Sequence, residues 1–419
     1  MVNRRKTNQR WEFKGFKDLA LNLIRIMASI KLIAIITLLF VPLVAMAQNQ
    51  DLPSRLPIVS DDLDRESLRR ALRQSQNYLQ KLPPDRVVGE QPRRFTAKEV
   101  LDSLSAFDHL LDRWDCRECW IKALTEQFDL IPSSSDSELQ NVLFTGYYDP
   151  IIDGSLVPTE EYLYPIYGKP ADLIVTERPT LSSLNTTEKA VGRMEGENFV
   201  PYYSRREIDD QGSLRGRGYE IAWVKDPIDL FFLHIQGSGV LRLPNGKHIK
   251  VGYAGANGRA YRSIGRLLID DGKVPKEEMS MQRLRRYLTD HPEERSEIMA
   301  YNESYVFFRF LEEGPLGSLD VPITPGRSIA TDSRLFPKGA LAFIFTQKPV
   351  LDPAGQLIGW TPFLRFVLNQ DTGGAIRGPQ RVDLYFGTGD SAEASGGYMN
   401  SPGKLYFVLL KKKPAKHMQ

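Results

Sequence analysis

The chain reads as mainly β with helices, and three observations carry that reading. From Val142 onward, short apolar runs are cut by Gly, Pro and Asn: NVLFTGYYD, EIAWV, DLFFLHIQGSGVLRL and HIKVGYAG. Between Asp61 and Leu130 the apolar residues instead fall three and four apart, the spacing of a helix face. From Pro322 to Leu410 the β texture returns in ALAFIFTQ, PFLRFVLNQ, RVDLYF and KLYFVLLK. At 419 residues the length allows two or three domains and a sizeable core.

Taken in order, Lys31 precedes an apolar run from Leu32 to Val44, followed by Ala45-Met46-Ala47. That run falls short of the ~20 residues that span a bilayer, and it ends on a small-x-small site, so residues 1–47 read as an export signal cleaved after Ala47. Starting at Met27 it would have the form of an ordinary signal, and no Cys follows the site to carry a lipid. Gln48 to Ser60 is a polar linker. Leu68, Leu72 and Leu79, then Val100, Leu104, Phe107, Leu111 and Trp114, mark packing helices, with Thr96 and Glu99 in the form of a capping box. Cys116 and Cys119 form the one CxxC; without a second pair or a nearby His it reads as a local disulfide or two inert thiols, not a zinc site. LPNGKH is a hairpin signal, and Asp352 in LDPAGQ reads as a hairpin turn residue. Arg262–Ile269 and Met281–Leu288 read as helices. His234, in an apolar run taken as a strand, reads as a core histidine.

The formal charge of +3 misleads: Met1 to Ala47 holds eight Lys/Arg against two acids, so the remainder stands at −3. Four lysines crowd the last nine residues, which makes the part between more acidic still and argues against a nucleic-acid groove. Residues 411–419 read as a basic tail.

The stretch richest in chemistry is Gln370 to Asp390, QDTGGAIRGPQRVDLYFGTGD. In a strand, Val382, Leu384 and Phe386 point one way and Arg381, Asp383 and Tyr385 the other, so Asp383 sits mid-strand on the polar face. Gly373-Gly374 before it and Gly387-Thr388-Gly389 after it let backbone pass close to a ligand. Between Glu313 and Glu393 there is no other Glu and no His or Cys, so proton transfer there falls to an Asp. Of the six aspartates there, Asp320, Asp332, Asp352, Asp371, Asp383 and Asp390, Asp352 and Asp390 read as turn and cap residues, and Asp332, Asp371 and Asp383 are kept as candidates.

DTGGAIRG followed by RVDLYFG resembles the three-aspartate region of the membrane-bound lytic murein transglycosylase A family. FTGYYDP, YYSRREID, DLFFLHIQGSG, VGYAGANGRAYRSIG and TDSRLFPKG resemble it in the same order, so the likeness runs from about Phe144 to Leu410. It implies a double-psi β-barrel built from residues 48–152 and 313–410, with a smaller β domain, 153–312, inserted and a groove between the two. It makes Asp383 the single catalytic acid/base, with Asp371 and Asp332 as supporting groove-side acids. Each of these two also has a plain loop reading, as a cap or the start of an Asx turn.

Tyr147, Tyr148, Tyr202, Tyr203 and Tyr253 recur beside glycines or one another, and such aromatic faces suit stacking on sugar rings. Tyr385 lies alongside the acid, and Gln236 and Ser238 in HIQGSG supply amide and hydroxyl partners. The activity implied is that of a peptidoglycan lytic exotransglycosylase, cutting between N-acetylmuramic acid and N-acetylglucosamine to leave 1,6-anhydro ends. The residues themselves leave chain-end against mid-strand action open. No cofactor or metal is expected. The implied partner is the glycan strand, with a wall-remodelling complex as a further partner, a monomeric chain, and a place in the periplasm or at the outer membrane. Two rival readings stand beside this one: a hydrolase pairing Asp383 with Asp371 or Asp332, and a wall-binding module without catalysis.

Overall fold

The computed structural model describes residues 61–179 and 187–412. The leader, its cleavage site, the linker and the tail beyond Lys412 lie outside the described residues.

Six strands made from the alternating runs close on one another. They are β1 (Val142–Asp149), β2 (Ser328–Ala330), β3 (Leu341–Leu351), β4 (Leu357–Asp371), β5 (Arg381–Thr388) and β6 (Asn400–Leu410). They hydrogen-bond as a ring, β3–β4–β2–β5–β1–β6 and back to β3, so no edge of the barrel is left open. The β2–β4 and β1–β5 pairs are parallel and the other four antiparallel. Parallel neighbours need a long connection, and between β1 and β5 that connection holds a second six-stranded sheet and β2 to β4 of the barrel. The mainly β barrel implied by the resemblance is therefore what the chain forms.

The expected N-terminal helices cover the barrel wall. Asp64 caps Arg65–Leu79 by accepting from the Ser67 amide at 2.7 Å. Thr96 caps Ala97–Leu110, but Glu99 turns to Arg93 at 2.6 Å and does not complete a capping box. The second helix wedges Phe107 between Phe366 of β4, at 5.0 Å, and Trp120, at 5.4 Å. Arg327 pins the first helix to the barrel. It is wholly buried, pairs with both oxygens of Asp61 at 2.6 and 2.9 Å, and also donates to Ser67 Oγ, Asp64 O and Phe366 O. With the guanidinium's donors so employed, the buried charge keeps its partners. Cys116 and Cys119 are joined as a disulfide.

The chain leaves β1 through Pro150 and at once enters a six-stranded sheet. Its order is Val306–Leu311, His248–Ala256, Ser238–Arg242, Ile151–Ser155, Glu220–Val224 and Tyr164–Tyr167. Ile152, Ile166, Val224, Leu233, Leu241, Val251 and Phe308 form its core. The LPNGKH hairpin is present, with Asn245 Oδ1 accepting from Lys247 N at 3.0 Å. A three-stranded sheet, Ile174–Pro179, Thr187–Glu195 and Asn198–Pro201, stands beside these strands in the order of the chain.

One expectation is overturned here. The run DLFFLHIQ is not a strand but the body of a helix, Pro227–Gln236. Asp226 caps it through the Ile228 amide at 2.8 Å, Pro227 takes its first turn, and Gly237 ends it at φ +81°. These are ordinary start and stop signals; an apolar run buried on most sides carries no period to compete with them. His234 is accordingly a helix residue, buried against Tyr305 and Phe308.

Candidate active site

β5 places Asp383 between Thr145 of parallel β1 and Ala330 of antiparallel β2. Val382 and Leu384 are buried, as the alternation requires, and the Asp383 carboxylate faces the other way with 16 % of its side chain exposed. That opening admits a substrate atom without immersing the acid in water. Its Oδ1 accepts a short hydrogen bond from Thr145 Oγ1 and lies 3.4 Å from Arg381 Nε. Arg381 also donates to Thr145 Oγ1 at 3.3 Å, so cation, hydroxyl and carboxylate form one triangle and hold the carboxylate's rotamer. The loop ahead of helix Ile264–Asp270 carries Tyr261, whose hydroxyl pKa is pushed up by burial, with the charges of Arg381 and Asp383 acting on it more weakly and in opposite senses. Asn257 fixes that loop through Tyr203 O at 2.8 Å, Glu303 O at 2.9 Å and the Tyr305 amide at 2.9 Å.

Asp371 ends β4 and lies in the next layer. Its Oδ1 accepts the amides of Ser318 and Thr372 at 2.9 and 2.8 Å, and its Oδ2 accepts the Tyr147 hydroxyl at 2.9 Å. Burial outweighs those bonds and pushes its pKa up to about 6. Tyr147 in turn packs on Tyr385, ring centroids 5.2 Å apart.

Asp332 is placed differently. It is fully buried, and Arg334 grips both its oxygens at 2.9 and 2.6 Å while the Gly378 amide donates at 2.9 Å. Burial alone would raise its pKa, but Arg334 and the two backbone donors win and bring it down to about 2. A permanently charged, fully hydrogen-bonded carboxylate cannot exchange a proton with a sugar near neutral pH. It ties the loop after Asp371 at Gly378, whose φ of +80° favours a residue without a side chain.

The tyrosines divide. Tyr148, Tyr202 and Tyr385 are 1 %, 0 % and 1 % exposed, so none has a ring face for a sugar. Tyr202 sits in the core of the insertion and donates to Asp172 at 2.7 Å, and Tyr148 reaches Met281 Sδ at 3.4 Å. Tyr147 and Tyr203 are half-buried, Tyr203 beneath the Arg193 guanidinium, and Tyr253 is exposed on the six-stranded sheet. Gln236 Oε1 accepts the Tyr148 amide at 3.1 Å, which joins the helix to β1, while its Nε2 reaches Met281 Sδ at 3.3 Å.

Ser238 and Tyr385 share a partner the sequence reading passed over. Asp149, 2 % exposed at the point where β1 hands the chain to the insertion, accepts Ser238 Oγ at 2.5 Å and Tyr385 Oη at 2.6 Å. Thr388 Oγ1 adds a third contact at 3.3 Å. Burial, its dominant influence, raises the Asp149 pKa. This carboxylate thus fastens β5, two residues from Asp383, to the start of strand Ser238–Arg242. The signal that could have found it is an acid directly following an apolar, aromatic strand with no basic neighbour in sequence.

With the geometry in place, comparison with known proteins is direct. The family model described as the MltA specific insert domain matches residues 143–309, and that of the 3D domain matches residues 327–409. The membrane-bound lytic murein transglycosylase A of Escherichia coli K12 is 35 % identical over 271 residues, covering 64 % of this chain and 66 % of that protein, so the matched region spans about two thirds of that relative. Its Vibrio cholerae counterpart is 32 % identical over 277 residues, 65 % of this chain and 67 % of that one. Among solved structures, a membrane-bound lytic murein transglycosylase from Agrobacterium tumefaciens aligns with a TM-score of 0.68 at 30 % identity, over 86 % of this chain and 95 % of that one. E. coli MltA with bound chitohexaose aligns at 0.62 and 26 % identity, over 87 % and 94 %. On sequence and on fold alike, the chain belongs to the membrane-bound lytic murein transglycosylase A family.

Proposed function

We infer that this protein is a peptidoglycan lytic transglycosylase with Asp383 as its single acid/base. The observation that carries the reading is the position of Asp383: a partly open carboxylate on a barrel strand, oriented by Thr145 and Arg381. In this reading the glycan lies between the barrel, built from 48–152 and 313–410, and the insertion, 153–312. Asp383 protonates the glycosidic oxygen as an oxocarbenium-like state develops. The resulting carboxylate then accepts the proton of the muramic acid 6-hydroxyl as that oxygen attacks the anomeric carbon, closing a 1,6-anhydro ring without consuming water. Tyr147, Tyr203 and Tyr253 are the rings left to meet sugars. The relative solved with chitohexaose, a chain of N-acetylated sugars, supports a β-1,4 glycan as ligand. An envelope location, reached through export, fits the membrane-bound relatives.

Asp371, the candidate acid whose pKa is pushed to about 6, favours a second reading in which two carboxylates hydrolyse the bond. Its hydrogen bonds argue for orientation instead: Oδ1 already takes two amides and Oδ2 a tyrosine hydroxyl, which leaves little of it to hold a water. Digestion of purified murein in heavy-oxygen water decides between them. Unlabelled 1,6-anhydro ends support the transglycosylase, labelled reducing ends the hydrolase, and absence of any cleavage a binding module.

A further inference from the structure

A depression of about 730 Å³ lies on the barrel's flank, formed where the chain between the first two helices passes the turn after β2. Arg86, Arg94, Arg334 and Lys338 line it against only Asp85 and Glu90. Arg86 and Arg94 are exposed, and among the described residues neither side chain donates a hydrogen bond or enters an ion pair. Two guanidinium groups left without acids in a chain that is otherwise mildly acidic call for an anionic ligand, and a guanidinium's paired N–H groups fit a carboxylate.

The position relative to the acid narrows the ligand. Ala330 pairs with Asp383, and Arg334 lies four residues further along the chain, a span of at most ~14 Å between backbones. Arg334 also holds Asp332, whose other contact is the Gly378 amide in the loop after Asp371. Arg334 thus ties one wall of the pocket to the strand beside Asp383 and, through Asp332, to the loop after Asp371. A glycan strand of murein bears peptide stems on its muramic acid residues, and those stems carry carboxylates.

We propose that Arg86 and Arg94 form a binding site for a carboxylate of the peptide stem, recognising the substrate's side branch while Asp383 acts on its backbone. The proposal rests on the transglycosylase reading above for the identity of the substrate. In this arrangement Arg334, already committed to Asp332, contributes field and not a direct contact.

The test uses the double variant Arg86→Ala/Arg94→Ala, two exposed side chains outside the barrel core, with Arg86→Lys/Arg94→Lys as the charge-retaining control. Steady-state cleavage is measured on murein strands with stems and on the same strands stripped of them. Separately, binding of a free stem peptide and of its fully amidated form is measured by titration calorimetry. Two exposed ion pairs are expected to change KM on stem-bearing strands about five- to tenfold at low salt. kcat, and both constants on stripped strands, should be unchanged; the Lys pair should keep most of the wild-type KM and peptide binding, and the amidated peptide should bind the wild type no better than the variant. Equal effects on both strand types, or no effect on either KM or peptide binding, overturn the proposal. So does loss of binding to anionic phospholipid vesicles in the variant with peptide binding intact, which would give the pocket to a lipid phosphate. Peptide binding needs no catalysis, so failure of the pocket and failure of the transglycosylase reading appear in different measurements.

Discussion

Asp371 makes a pH-dependent prediction whose size follows from its surroundings. Burial raises its pKa from 3.8 to about 6 despite three hydrogen bonds. A carboxyl that binds its proton more tightly when folded stabilises the fold below its unfolded pKa, and that contribution is lost as pH rises through the folded pKa. The window here is pH 4 to 6, and a shift of about two units corresponds to roughly 3 kcal/mol. Asp371→Asn removes the titration but keeps the shape: its carbonyl can accept the Ser318 and Thr372 amides, and its NH2 can face a Tyr147 hydroxyl rotated to accept. The variant should therefore match or trail the wild type at pH 4 and gain on it by up to about 3 kcal/mol by pH 7. Urea unfolding of the two proteins across pH 4 to 8, with far-UV circular dichroism as the probe, measures the difference. A difference that stays constant over that range would show that Asp371 does not titrate between folded and unfolded states as its burial dictates. The same variant should still release 1,6-anhydro ends, at a reduced rate.

Three further expectations concern the site and its supports. Asp383→Asn should abolish cleavage of murein while leaving the unfolding midpoint and strand binding near the wild-type values, since the amide keeps the shape but cannot pass the proton; retained turnover with unchanged product would remove Asp383 from its role. Asp149→Ala strips the hydroxyls of Ser238, Tyr385 and Thr388 of their shared acceptor and should cost about 3 kcal/mol or more in chemical denaturation, with Asp149→Asn costing less; equal stability of the Ala variant would show that the three hydroxyls find other partners. Gly146→Ala places a Cβ 2.7 Å from Gly396 Cα, where β1 and helix Asp390–Tyr398 meet, and should destabilise by about 1–3 kcal/mol while slowing cleavage through displacement of β1; an unchanged midpoint would mean the helix can retreat freely.

What the sequence made legible follows the range over which each signal acts. RVDLYF fixed its own strand because alternation is local, and it aimed Asp383 correctly because a period of two leaves one choice of face once Val382 and Leu384 are buried. The Asp352 and Asn245 turns were legible for the same reason: each side chain closes on backbone within four residues. The alternation failed one step later, at Tyr385, on the polar face yet 1 % exposed, because its environment is made by Asp149, 236 residues away in sequence. Asp332 shows the opposite case. The Arg334 that neutralises it stands only two residues away, and an Asp followed at that spacing by Arg within a turn is a self-satisfied pair before any fold is considered. Asp149 and Asp332 thus exchange places: the acid with a cation beside it in sequence is spent on its own loop, and the acid without one is the carboxylate that fastens the barrel to the insertion. A buried acid without a local cation must be satisfied by distant groups, here hydroxyls from β5 and from the insertion, and wherever that happens the two parts of the fold that supply them are held in one relation.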